Sequence, residues 1–156
     1  MTAPRAEDTR PGERAGDRKI AFEVGGHRCA LAIPPPGDPG VGTVFLLGLP
    51  KAGSTLLARL MTPVVRSAGL TYVAVQDALH GLGVPPGDYP AEVNRAFQPN
   101  GYAFGGFRSL PGALALPPYA CDRTVLLVRD PRDMLTSLYF SLALSHAPPG
   151  GGAGGA

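Results

Sequence analysis

Apolar residues in this chain fall into short runs divided by glycine and proline, and the spacing inside the runs changes from segment to segment. Residues 20–24 (IAFEV) and 27–33 (HRCALAI) flank Gly25 and Gly26. Two strand-like runs about a Gly-Gly pair predict a β-hairpin, placed as an edge or accessory element. TVFLL (43–47) is almost wholly apolar, as expected of a strand covered on both faces in a parallel sheet. From 54 to 67 the interval lengthens: Leu57, Leu60, Met61, Val64 and Ala68 recur at helical spacing, Gly69 is placed to end that helix, and Pro63 to kink it. LTYVAV (70–75) predicts a second strand, so the segment reads as a right-handed βαβ unit. Glycine and proline break every apolar run between 76 and 120, where AEVNRAF (91–97) suggests only a short helix. TVLLV (124–128) is again strand-like, and Asp130, Pro131 and Asp133 predict a capped helix start with proline at its first position, running to about Leu144. The weakly polar stretch 134–145 is too short to span a bilayer and reads as a packed helix. The fold class expected is α/β, a parallel sheet flanked by helices.

Composition narrows this picture. A chain of 156 residues holds about one domain, and its 22 glycines and 18 prolines are concentrated outside the periodic segments. Residues 1–19 mix both charge signs with proline and glycine and are expected to be disordered; PPPGDPG (34–40) is a turn-rich connector and 147–156 a flexible glycine-rich tail. That leaves a hairpin and connector at 20–40 and the α/β domain at 41–146. A net charge of +2 is far below the basic excess of a general nucleic-acid binder, so no nucleic-acid partner is expected and any anion site should be local. Cys29 and Cys121 lack metal-ligand spacing and read as two reduced thiols. The N-terminus carries no apolar stretch after its charges, which argues against a secretory signal; with no membrane span expected, a cytoplasmic location follows.

The chemistry concentrates in GLPKAGST (48–55), between the first parallel strand and its helix. It has the G-x-x-x-x-G spacing of a phosphate-binding loop, with the lysine inside the loop at Lys51. A glycine-containing turn there aims backbone N–H groups at one small volume, and the helix N-terminus adds partial positive charge. Lys51 can set an ammonium against an oxyanion, and the Ser54 and Thr55 hydroxyls can donate to it. The alternative is an ordinary βα connection. A lysine missing after Gly53 weakens an ATP or GTP reading, as does Arg129 where a magnesium-holding aspartate would stand. In LVRDPRDMLTS, Arg129 at a strand end and Ser137 eight positions later can hold a second anion; otherwise Arg129 is a solvent-facing partner of Asp130 or Asp133.

Together, Pro50, Lys51, Ala52, Gly53, Ser54, Thr55 and Leu56, then Arg129, Pro131, Asp133 and Ser137, resemble the cofactor signature of the sulfotransferases that use 3'-phosphoadenosine 5'-phosphosulfate (PAPS). That family pairs a P-K-S-G-T-T-W type loop, which grips the 5'-phosphosulfate, with a later R-x-P-x-D segment and a serine that hold the 3'-phosphate. The resemblance spans about 43–141. It implies a P-loop-like fold, PAPS as sulfuryl donor with no metal, and transfer to a hydroxyl or amine of a small-molecule or carbohydrate acceptor. It also implies further helices and a basic loop after the second motif, so the domain is expected to be incomplete.

Sulfuryl transfer needs in-line positioning and charge stabilisation, which assigns Lys51 a catalytic role at the leaving oxygen and Arg129 and Ser137 a binding role. For the general base, small-molecule members carry a histidine in a K-x-H-x-P-like stretch; the nearest segment here, FRSLP (107–111), has none. Asp77 and His80 are the candidates, against the alternative that Asp77 caps a short helix and His80 is a surface or packed histidine. Leu56 replaces the aromatic often found after the loop and tryptophan is absent, so adenine would need another surface; Tyr102, Phe104 and Phe107 are possible ones, with core packing as the competing explanation. Two other functions compete: an atypical P-loop kinase and a nucleotide-binding remnant without catalysis. Acceptor identity and oligomeric state are left open by the sequence.

Overall fold

A computed structural model describes residues 16–85, 88–108, 114–120 and 122–145. The expectations for residues 1–15, Cys121 and the glycine-rich tail concern residues outside these ranges.

Strands β1 (Arg18–Val24) and β2 (His27–Ile33) pair antiparallel about Gly25 and Gly26, whose φ angles of 57° and 76° are those of a tight primed turn. This sheet starts two residues before the predicted run and stays separate from the main one. The main sheet has four strands, β3 (Val44–Gly48), β4 (Thr71–Ala74), β5 (Tyr102–Phe107) and β6 (Thr124–Leu127), in the spatial order β4-β5-β3-β6 and all parallel. Helix α1 (Ser54–Ser67) joins β3 to β4 and continues through Pro63; α2 (Val75–Gly81) follows β4, and α3 (Pro131–Phe140) follows β6.

The core lies on two sides of this sheet. On one, Ile20, Phe22, Leu31 and Ile33 of the hairpin close over Phe45, Phe104 and Phe107, with Leu79 of α2 and Val93 of a 3-10 helix, Ala91–Ala96. Phe97 sits among these rings, its centroid 5.2 Å from Phe104 and 5.7 Å from Phe45 in edge-on geometry. On the other side Val65 and Met61 of α1 pack with Leu70 and Ala103. Tyr102, Phe104 and Phe107 are thus core residues, which removes them as surfaces for adenine or acceptor.

Several expectations are corrected. Residues 70–75 do not run as one strand: β4 stops at Ala74 and buried Val75 opens α2, where it packs into the main core. The strand paired between β3 and β4 is β5, which no apolar run announced because Gly105 and Gly106 interrupt it. Gly105 has a structural reason: a Cβ there would lie 2.6 Å from Tyr72 Oη and 2.7 Å from its Cε2. Gly105→Ala is therefore expected to destabilise the fold by about 1–3 kcal/mol, read as a lower urea midpoint at unchanged m-value. Nor is 134–145 a packed helix. No residue of α3 is buried, its helical turns pass into a π-helical segment at Ser141–Ser145, and Leu135, Tyr139 and Phe140 face solvent. Leu60 and Val64 of α1 and Val125 and Leu126 of β6 are exposed too, so the buried face of α1 is the one through Val65.

Candidate functional site

Strand β3 ends at Gly48, where the chain reverses so tightly that a Cβ would lie 3.0 Å from Ser54 Cβ. The Ala52 N–H donates to the Leu49 carbonyl at 3.0 Å and closes the turn, while Leu49 N–H donates to Leu127 O at 3.3 Å and ties it to β6. Two residues take left-handed backbone, Gly53 at φ 103° and Lys51 at φ 61°. Only the second is costly, because a side chain at positive φ crowds the backbone by about 1–2 kcal/mol. Gly53 occupies the N-cap of α1 with no side-chain cap bond, and the first turn holds no acidic residue. The free N–H groups and the positive end of the helix dipole are therefore uncompensated there.

That N-terminus faces a cavity of about 340 Å³ lined by Pro50, Lys51, Gly53, Ser54, Thr55, Arg108 and Arg129. Three of these side chains are cationic and none is acidic. Arg129 follows β6; its Nη1 donates to the Lys51 carbonyl at 3.4 Å, and its Nη2 lies 3.5 Å from Asp133 Oδ2 in an exposed i,i+4 pair worth little in water. Lys51 Nζ donates to Ser141 Oγ at 2.6 Å, which fixes the ammonium across the loop. Asp130 caps α3 by accepting from Arg132 N–H at 2.9 Å, and the Arg132 side-chain bonds, then this backbone bond, hold its carboxyl below the usual carboxylate range.

A second cavity of about 280 Å³ opens beside the first, lined by Ser54, Thr55, Ala58, Arg59, Thr62, Asp77, Gly106 and Arg108. Asp77 does not cap α2: it stands in the first turn without a cap bond, and its Oδ1 accepts from Arg108 Nη2 at 2.8 Å. The backbone of Arg108 is fixed in turn, its N–H donating at 2.6 Å to Oε1 of buried Gln76. Gly106 at φ 80° lets the carboxylate approach, since a Cβ would sit 3.1 Å from Asp77 Oδ2. Nearby, the Tyr72 hydroxyl is buried with no hydrogen-bond partner among the described residues. Burial first, then the Asp77 carboxylate, push it above its ordinary value. A raised phenol stabilises the fold below about pH 10 and loses that contribution as pH climbs through the folded value. Tyr72→Phe is expected to leave stability at pH 7 unchanged or higher, because it removes an unsatisfied hydroxyl costing about 1–3 kcal/mol, and to flatten the alkaline fall in melting temperature.

Of the residues chosen from sequence, the structure gathers Pro50, Lys51, Gly53, Ser54, Thr55 and Arg129 around one cavity, and Asp77 around its neighbour. Ala52 shapes the turn without lining the cavity. Ser137 is half-buried on α3 and lines neither cavity; the serine reaching Lys51 is Ser141, one turn further on. His80 is exposed in the last turn of α2 and lines neither cavity. Arg108, which lines both, is the residue sequence reasoning missed: a lone arginine after a glycine-broken strand carries no spacing signal. Among the described residues no three His, Cys, Asp or Glu side chains group as metal ligands, and no helix is long and apolar enough to cross a membrane. No family model, curated protein or solved structure matches the chain.

Proposed function

We propose that the chain binds PAPS through a P-loop-like strand-loop-helix unit and transfers its sulfuryl group to a hydroxyl or amine acceptor. The observation that carries the reading is the meeting of Lys51 and Arg129, 78 residues apart in sequence, on one cavity at an uncapped helix N-terminus with no acidic lining. Clustered cations raise one another's energy, only partly offset here by the pairs Arg108–Asp77 and Arg129–Asp133, and a ligand with two anionic ends relieves this. The loop and Lys51 would take the 5'-phosphosulfate, and Arg129 the 3'-phosphate.

In the reaction the acceptor oxygen or nitrogen attacks sulfur, the new bond to sulfur forms as the bond from sulfur to the bridging phosphate oxygen breaks, and adenosine 3',5'-bisphosphate departs. Lys51 stabilises negative charge as it develops on that oxygen. Asp77 receives the acceptor's proton. His80, exposed and away from both cavities, is the weaker candidate for that step. The bare apolar faces of β6, α1 and α3 are where further helices of such a domain would pack.

Thermal-shift titration tests the reading. Adenosine 3',5'-bisphosphate without metal is expected to raise the melting temperature, and magnesium-ATP to raise it less. The reverse order would favour a kinase; a shift with bisphosphate but no sulfated product from PAPS would favour a non-catalytic binder.

A further inference from the structure

The second cavity shares Ser54, Thr55 and Arg108 with the first, so a molecule seated in it abuts whatever the loop holds. Its lining is chemically selective. Ser54 and Thr55 offer hydroxyls, Thr62 a hydroxyl oxygen that can accept while its proton goes to the Ala58 carbonyl at 2.6 Å, Asp77 a carboxylate held in place by Arg108, and Arg59 a guanidinium with no ion-pair partner among the described residues. No aromatic side chain, and no aliphatic one larger than alanine, lines it. A planar phenol or a steroid-like alcohol would find no aromatic stacking face there and no wall of large aliphatic side chains. A compact polyol would exchange its water contacts for matched donors and acceptors, which polar burial requires.

We propose that this cavity is the acceptor subsite and that it takes a compact, non-aromatic acceptor bearing several hydroxyl groups, of carbohydrate type. A volume of about 280 Å³ suits one sugar ring with its neighbour outside, and Arg59 tolerates an acidic substituent on that ring. The proposal rests on the donor reading above, which makes the adjacent anion a sulfonate.

The test uses the full chain with adenosine 3',5'-bisphosphate bound and measures binding of methyl glucoside, methyl glucuronide and 4-nitrophenol by saturation-transfer NMR. At least one glycoside is expected to bind more tightly than the phenol. Ala58→Phe, which places a ring in the cavity, is expected to weaken that glycoside by about tenfold or more while leaving the nucleotide's affinity within about twofold. Should Ala58→Phe lose the nucleotide as well, Thr62→Val decides, with severalfold weaker glycoside binding expected. Failure of both glycosides to bind, preference for 4-nitrophenol, or glycoside binding indifferent to the deciding variant would overturn the assignment. If the wild-type chain does not bind the bisphosphate, the donor reading fails by itself. The glycosides are then titrated without nucleotide, and sensitivity to Ala58→Phe or its absence keeps or ends the saccharide site.

Discussion

On the proposed function, replacing Lys51 by alanine is expected to lower the turnover number for sulfuryl transfer by about a hundredfold or more, the usual effect of deleting a group that stabilises charge on a breaking bond. KM for PAPS should rise less, because on that reading the loop N–H groups and Arg129 would still hold the donor. The backbone makes the experiment sharper. Lys51 sits at φ 61°, which glycine tolerates and alanine does not, so Lys51→Gly should be at least as stable as Lys51→Ala and equally inactive. A lysine at a position where glycine would be less strained is a reason to test that residue for function. Chemical denaturation and steady-state rates on the same preparations measure both quantities. Full activity in Lys51→Gly would remove Lys51 from the chemistry and leave its bond to Ser141 as a purely structural contact.

The part of the molecule that makes this prediction possible was legible because its signals are local. An apolar run, a glycine at each end of a six-residue loop and a helical repeat lie consecutively in 43–67, and each reflects sterics acting within a few residues. The hairpin turn at Gly25 and Gly26 and the Asp130 cap of α3 are of the same kind. What the sequence hid depends on partners far along the chain. Strand β5 is broken by glycines whose purpose lies elsewhere: Gly105 makes room for Tyr72 and Gly106 for Asp77. Val75 leaves the strand register because burial against the hairpin side of the sheet outweighs β propensity. The helical spacing of Leu57, Leu60, Met61 and Val64 identified the helix, but Leu60 and Val64 of that stripe are exposed while Met61 packs beside Val65, since periodicity gives a stripe's direction and only packing shows what covers it. At the site, Lys51 and Arg129 were recognisable by motif, whereas Arg108 owes its place to the end of β5 and to Gln76, a contact 32 residues away in sequence.

Arg129 carries the second large effect, on selectivity. If it holds the 3'-phosphate, wild-type protein should prefer adenosine 3',5'-bisphosphate to adenosine 5'-monophosphate by about 10- to 100-fold, the worth of one or two charge-assisted hydrogen bonds. Arg129→Ala should abolish that preference while leaving the monophosphate's affinity nearly unchanged, because the 5' end stays on the loop. Arg129→Lys should restore part of it, keeping the charge and losing the planar fork. Isothermal titration at two salt concentrations separates this from a global loss: the bisphosphate's salt dependence should fall in Arg129→Ala and the monophosphate's should not. The present partner of Arg129, Asp133 at 3.5 Å, is exposed and weakly held, so a doubly charged phosphate competes with it at small cost. Equal weakening of both nucleotides in Arg129→Ala would mean that this arginine supports the loop through the Lys51 carbonyl and reads no phosphate.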